Sequence, residues 1–224
     1  MANLKNEVDL THTEENYLKT MYALGGHQAF FTNQELAQAI GIKASSVTDM
    51  LKKMCTKKWV QYTPYKGAML TILGKKYAVQ VIRKHRLWET FLHTKLGFKW
   101  DEVHSIAEQL EHINNTELID RLDAYLGNPS TDPHGDTIPS KEGTFKKEKM
   151  QPLVQGQVGV MYTVKAVHSH EQGMLQLLSY YHIALESTLT IKQQFEYDHS
   201  LEVLVNGNHL HVLPKAIISH IMVA

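Results

Sequence analysis

At 224 residues, 43% apolar and 21% charged, the chain has the make-up of an ordinary globular protein, with room for one large domain or roughly two to three small ones. Its single cysteine, Cys55, excludes an internal disulfide framework. No basic-then-apolar leader opens it and no run approaches the roughly 20 apolar residues that cross a bilayer, so a soluble cytoplasmic protein without a membrane partner is expected.

The 23 basic and 23 acidic side chains balance overall but not locally. Residues 1–84 carry twelve Lys and Arg against six Asp and Glu, residues 85–142 five against eleven, and residues 143–224 six of each. A basic first third points to an anionic partner such as nucleic acid, and an acidic middle to cations or a partner surface. Fourteen histidines are compatible with metal chemistry without establishing it.

The first helix is signalled by THTEENYLKTMYALGG. Thr11 and Glu14 have capping-box spacing, Tyr17, Leu18, Met21 and Tyr22 form the apolar stripe, and Gly25-Gly26 stop it. A second box, Thr32 to Glu35, opens TNQELAQAIGI, which turns Leu36, Ala37 and Ile40 inward and breaks at Gly41. In KASSVTDMLKKMCTKKWV, Val47, Met50, Leu51 and Met54 occupy i, i+3, i+4 and i+7, leaving Ser45, Ser46, Thr48, Asp49, Lys52 and Lys53 outward.

Two short helices around a glycine turn are a helix-turn-helix, whose second helix lies in the major groove; its Ser, Thr and Lys side chains contact phosphates or base edges. The following VQYTPYKGAMLTILG predicts two strands around Pro64-Tyr65-Lys66-Gly67, a wing with Lys66 at its tip. The plainer alternative is a small helical domain with an amphipathic surface helix. Expected DNA-facing residues are Ser45, Ser46, Thr48, Lys52, Lys53 and Lys66.

A long helix is predicted from Lys75 to about Leu96, ended by Gly97, then helices in VHSIAEQLEHI and TELIDRLDAYLG. Their apolar faces exceed what one small domain covers, so a homodimer interface is expected. NPSTDPHGDTIPSKEGTFKKEKM reads as loop and linker. Beyond it GQVGVMYTVKAV, STLTIKQQFEY and the hairpin LEVLVNGNHLHVLP, with a short helix GMLQLLSYYH, predict a small SH3-like β-barrel. The expected fold is mainly α with small β parts: a winged helix-turn-helix over 1–74, a helical metal-binding and dimerisation domain over 75–142, a linker over 143–150 and the barrel over 151–224.

The chemistry lies on the middle helices. In VHSIAEQLEHI, His104, Glu108, Glu111 and His112 fall within an arc of about 100° of one helix. Glu108, Glu111 and His112 have the i, i+3 and i+4 spacing that lets one helix hold a divalent ion: two carboxylates cancel its charge and the imidazole moves preference from calcium towards first-row transition metals. His85 and Glu89 repeat the i, i+4 spacing, and His104 joins them if the two helices pack side by side. The competing reading of each pair is a wet helix face.

THTEENYLKTMY, QELAQAIGIKASSVTDMLKKM, VQYTPYKGAMLT, HRLWETFL, VHSIAEQLEHI and DPHGDTIP, in this order and spacing, resemble the metal-dependent repressors of the diphtheria toxin repressor and manganese transport regulator (DtxR/MntR) family over roughly residues 8–140. The C-terminal part is similar, more loosely, to the SH3-like FeoA-type domain of longer members. The resemblance implies a main site at Asn16, Glu108, Glu111 and His112, and an ancillary site at His85, Glu89 and His104 with His170 or Glu171 as further ligands.

Asn16 departs from the Asp or Met common there, and Lys19 stands where the binuclear manganese pattern has another carboxylate; separate sites are favoured. Iron-type members place a cysteine at the Glu108 position and a methionine at that of Asn16. The harder oxygen-and-imidazole set suits Mn(II), with Fe(II) the alternative and Co(II), Ni(II) or Zn(II) able to substitute in vitro.

The expected function is a homodimeric, metal-activated repressor of metal-uptake genes on a palindromic operator, with no small-molecule substrate. In this account the ion ties the first helix to the dimerisation helices and sets the spacing of the two wings. A metal-dependent hydrolase lacks an H-E-x-x-H segment, a nucleophile elbow or a phosphate-cradling loop, so no enzyme is expected. A winged-helix regulator with a structural His/Glu stripe and a non-metal effector is the other rival. Cys55 reads as a packed thiol, His134 as a turn residue, and His209, His211 and His220 have no partner spacing.

Overall fold

The computed structural model describes residues 10–64, 66–146 and 149–224, so Tyr65 at the expected wing tip and Lys147 and Glu148 of the expected linker lie outside the described residues. It divides into two compact units, Met1–Lys84 with Pro139–Gly143, and His85–Ile138 with Thr144–Ala224.

In the first unit, α1 (His12–Ala23), α2 (Asn33–Ile40) and α3 (Ala44–Thr56) precede a hairpin of β1 (Val60–Thr63) and β2 (Gly67–Leu70). Both expected capping boxes form: Thr11 and Thr32 each accept the N–H three residues on, and Glu14 and Glu35 accept the N–H of the capping threonine. Gly41 ends α2 in the left-handed region, φ 77°, where a Cβ would be strained. Leu18, Met21, Leu36, Val47, Leu51, Met54, Trp59 and Ala68 form the core that locks the helices to the hairpin.

Two carboxylates of α1 are buried in that unit. Glu14 Oε1 lies 2.6 Å from Lys57 Nζ and 3.1 Å from Lys53 Nζ. Burial raises its pKa, but Lys57, the Thr11 N–H and Lys53 outweigh burial and hold it at about 2. Glu15 Oε1 meets Lys84 Nζ at 2.8 Å. Breaking such pairs on one side strands a charge, so they fix α1 against the end of α3 and against the segment that carries Lys84.

Helix α4 (Ile72–Leu96) begins three residues before the expected start, because the Thr71 hydroxyl accepts the Gly74 N–H and caps it. It passes from the first unit into the second, where α5 (Val103–Leu110) and α6 (Thr116–Tyr125) follow. The expected single helix to Ile113 stops at Leu110, with Glu111 as its C-cap; Asn115 then starts α6 by accepting the Leu118 N–H. Leu92, Val103 and Ala107 pack α5 on α4, and Leu87, Ile119, Leu122 and Ile138 pack α6 on it.

The C-terminal part is the SH3-like domain. β3 (Gln151–Pro152), β4 (Met161–Val167), β5 (Thr188–Gln194), β6 (Leu201–Val205), β7 (His209–Leu213) and β8 (Ile221–Val223) form an antiparallel sheet in the order β3-β8-β4-β5-β6-β7. Helices α7 (Gln172–Tyr180) and α8 (Lys215–Ile218) lie between strands in sequence, and Leu175, Leu178, Ile217 and Ile218 enter the same core as Val164, Ile191, Val203 and Val223. Trp100, from the α4–α5 connection, packs on this core and donates its indole N–H to Ser179 Oγ at 3.0 Å.

The DPHGD loop is built rather than slack. Asp132 Oδ1 accepts the N–H groups of His134 and Asp136 at 2.8 and 3.0 Å, and the His134 carbonyl accepts the Val167 N–H of β4 at 2.8 Å. Gly135 has φ 85°, and a Cβ on it would stand 2.1 Å from the Lys165 carbonyl oxygen. Gly135→Ala therefore combines backbone strain with a backbone clash, and should lower stability by at least about 2 kcal/mol in urea unfolding; an unchanged midpoint would show that the loop yields freely.

Candidate metal centre and nucleic-acid interface

The metal centre grows from one carboxylate. Glu89 lies four residues after His85 on α4, and both are buried. α5 packs alongside and delivers His104. Glu89 Oε1 is 2.9 Å from His85 Nε2 and 3.1 Å from His104 Nδ1, and those two nitrogens are 3.1 Å apart. Three ligand atoms on one face of an ion with bonds of about 2.1 Å stand roughly 3.0–3.5 Å from one another. The triangle has the size of a facial ligand set.

The other oxygen of Glu89 faces a second group. Oε2 is 3.6 Å from His134 Nδ1, and both atoms are closed to water with no hydrogen-bond partner. That separation is too long for a hydrogen bond but suits two ligands flanking an ion. His134 Nε2 lies 2.8 Å from the Trp100 carbonyl, which can only accept; Nε2 therefore carries a hydrogen, leaving Nδ1 to face Glu89. His170, its side chain 36% exposed, completes the group, stacking on His104 with centroids 4.9 Å apart and meeting Asp136 Oδ2 at 3.4 Å.

Charges in this pocket are strongly coupled. Burial raises the Glu89 pKa, but His85, His104 and His134 outweigh it and hold the carboxyl well below its usual range. Asp132 is pushed up to about 8 by burial and the neighbouring Glu89 and Asp136, against Arg86. Burial lowers His134, but Glu89 and Asp132 carry it to about 8. Asp136, despite burial, is held low by His170 and Arg86; the guanidinium Nη2 is 3.2 Å from its Oδ2.

The other expected ligands fall differently. Glu111 is buried, and its Oε2 meets His85 Nδ1 at 2.5 Å, so His85 spans the two groups that the sequence separates. His112 Nε2 is 4.0 Å from Glu111 Oε1, whereas Glu108 is half exposed and sits 3.6 Å from His104 Nε2. Among the described residues, Glu108, Glu111 and His112 do not close into a set with ligand atoms within 4.8 Å; the sets that do are His85, Glu89 and His104, and Glu89, His134 and His170. The side chains are drawn apart: the Glu111 carboxylate meets His85 on α4, whereas Glu108 lies by His104. Asn16 belongs to the first unit, where it is exposed on α1. Glu171 is exposed at the N-cap of α7 and in neither set.

His134 is the ligand-type residue that spacing misses. It is a turn residue and also a buried member of the cluster, because the DPHGD loop folds it under Trp100 towards Glu89. The only local signal was an Asp-x-His-Gly sequence, with the glycine permitting close approach to β4.

In the first unit, Ser45 and Ser46 are exposed on α3, and Lys52 is exposed beside Asp49 at 3.9 Å. Thr48 is half-buried: it donates to the Ala44 carbonyl and accepts from Asn33 Nδ2 at 2.8 Å. Lys53, expected outward for DNA, is half exposed, but its ammonium is drawn to the buried Glu14. Lys66 lies over the Phe30 ring, 4.2 Å from its centroid. Thr32, Asn33, Gln34, Thr48, Lys52, Tyr62, Pro64 and Gly67 line a cleft of about 590 Å³ between recognition helix and wing.

Three family models tile the chain: the iron-dependent repressor N-terminal DNA-binding domain over residues 9–68, the iron-dependent repressor metal-binding and dimerisation domain over 71–140, and the FeoA domain over 151–224. A solved manganese-dependent transcriptional repressor in complex with manganese is 31% identical, with 94% of this chain and 99% of that one covered at a TM-score of 0.85. The chain belongs to the DtxR/MntR family.

ScaR with bound Zn2+ is 32% identical over 94% of this chain and 98% of its own, with a TM-score of 0.79. The iron-dependent repressor IdeR of Mycobacterium leprae (strain TN) is 32% identical over 131 residues, 58% of this chain and 57% of the relative. The matched segment thus spans just over half the length of that curated relative. These relatives are DNA-binding repressors, not enzymes.

A protonated His134 Nδ1 cannot bind a cation. Below its pKa of about 8 the proton competes with the metal and above it does not, so affinity should fall as pH drops, by about tenfold per unit for each proton displaced. Mn(II) calorimetry between about pH 8.5 and 6.5 should show this slope, reduced in His134→Ala. Equal slopes in both proteins would remove His134 from the ligand set.

Proposed function

We propose that the chain is a homodimeric, metal-activated transcriptional repressor of the cytoplasm, with Mn(II) as activating ion, Fe(II) as the alternative, and metal-uptake genes as targets. The observation that carries this reading is the triangle of His85 Nε2, His104 Nδ1 and Glu89 Oε1, with edges of 2.9–3.1 Å, beside the orphaned Glu89 Oε2 and His134 Nδ1. When bound, a divalent cation would take the place of the imidazole protons as the positive charge that matches this buried carboxylate.

His85, Glu89, His104, His134 and His170 would hold the ancillary ion. Glu108, Glu111 and His112 are proposed for the main ion, with Asn16 added on the family resemblance alone. The carboxylate and amide oxygens of the main set and the absence of thiolate from both sets favour Mn(II), while the solved relatives include proteins with manganese or Zn2+ bound. Co(II), Ni(II) or Zn(II) would then substitute in vitro.

The DNA-binding reading rests on Ser45, Ser46, Thr48, Lys52 and Lys66 around the cleft of the winged helix, with Lys53 as a weaker contributor. A palindromic operator follows from two copies related by a two-fold axis. Leu96, Leu118 and Tyr125, 56%, 38% and 65% exposed on α4 and α6, supply apolar surface for such a dimer.

One observation favours a structural stripe with a non-metal effector: His85 already bonds Glu89 and Glu111 through its two ring nitrogens. Operator titrations with and without Mn(II) separate the readings. The metal should tighten binding by roughly ten- to a hundredfold, about 1.4–2.7 kcal/mol, and Glu89→Gln should lose most of that gain. Equal affinity with and without Mn(II) would overturn the metal-activated reading.

A further inference from the structure

The SH3-like domain carries a histidine group that the centre at Glu89 does not use. His209 and His211 stand at i and i+2 on β7, so both side chains leave the same face of the strand. β7 is the last strand in the sheet order. The turn after α7 brings up His182, which has φ 58° and is fixed at its backbone: its N–H donates to the Ser179 carbonyl at 3.0 Å, and its own carbonyl accepts from Asn206 Nδ2 at 3.3 Å. The rings of His182 and His209 stack with centroids 4.2 Å apart, while His211 lies 6.5 Å from His182 and 6.3 Å from His209.

Two further features suit ligation. His211 Nε2 is closed to water and has no hydrogen-bond partner, an arrangement that is unfavourable until something occupies the nitrogen. His209 and His182 also stand close enough to His211 to add to burial in lowering its pKa.

We propose that His182, His209 and His211 form a separate metal site of the Zn(II) class, closed by solvent at the fourth position. Two imidazoles on one tetrahedral ion with Zn–N bonds of about 2.0–2.1 Å place their ring centroids roughly 5 Å apart. The three do not form a set with ligand atoms within 4.8 Å as they stand, so closing the site takes rotation of the exposed His182 and His209 side chains towards His211. The trio contains no carboxylate. Mn(II), the harder ion, gains little from it, whereas Zn(II), Ni(II) and Cu(II) suit imidazole and stand later in the affinity order. The domain would thus sense a different metal from the carboxylate-centred pocket.

Equilibrium dialysis of the full chain against buffered Zn(II), with bound metal counted by atomic emission, tests the assignment. His182→Asn, chosen because Asn tolerates positive φ, and His209→Gln should each bind one Zn(II) fewer per chain than the natural sequence. Mn(II) uptake and the metal-free melting temperature should not change. An unchanged Zn(II) count overturns the proposal. Should either variant melt lower, ring-nitrogen NMR of the natural chain decides: shifts of His182, His209 and His211 on Zn(II) addition support the site, and their absence overturns it.

Discussion

A carboxylate buried at position 89 must be matched by positive charge, because an isolated anion inside a protein is prohibitively costly. Much of the second unit is arranged around that need. α4 supplies His85 one turn before Glu89, α5 supplies His104, the Asp132–Asp136 loop supplies His134, and the segment after β4 supplies His170. Four chain segments converge on two carboxylate oxygens. The helical part and the SH3-like domain form one compact unit partly because both contribute to this cluster and Trp100 packs on the barrel core.

The same logic, with a different outcome, organises the first unit. Glu14 and Glu15 are buried too, but lysines rather than imidazoles meet them, at 2.6 and 2.8 Å. An ammonium group has no lone pair to offer a cation, so these pairs act as struts rather than as ligand sites. Histidine can release its proton to solvent and take a metal ion in its place, so a carboxylate among histidines suits an exchangeable site.

Legibility in the sequence followed contact range. The two capping boxes, the recognition-helix stripe and the His85–Glu89 pair are visible because their partners lie three or four residues apart. His134 and Glu89 are joined across a folded loop, which no local periodicity encodes. Within VHSIAEQLEHI, no spacing encodes the contact of Glu111 with His85, by which one ring touches both expected ligand groups. β8, a three-residue strand with strands on both sides in the sheet, was too short to announce itself. The basic charge of residues 1–84 overstated the DNA-facing surface, since Lys53, Lys57 and Lys84 are drawn to Glu14 and Glu15.

Membership of the repressor family and the geometry at Glu89 lead to one central claim, that the histidines converge there to hold a divalent cation. Crystals grown with Mn(II), with anomalous diffraction collected at the manganese edge, test it most directly. The account predicts an anomalous peak about 2.1–2.3 Å from a Glu89 oxygen and from at least two of His85, His104, His134 and His170. A fully occupied Mn(II) elsewhere, with Glu89 still bonded only to protonated imidazoles, would contradict it.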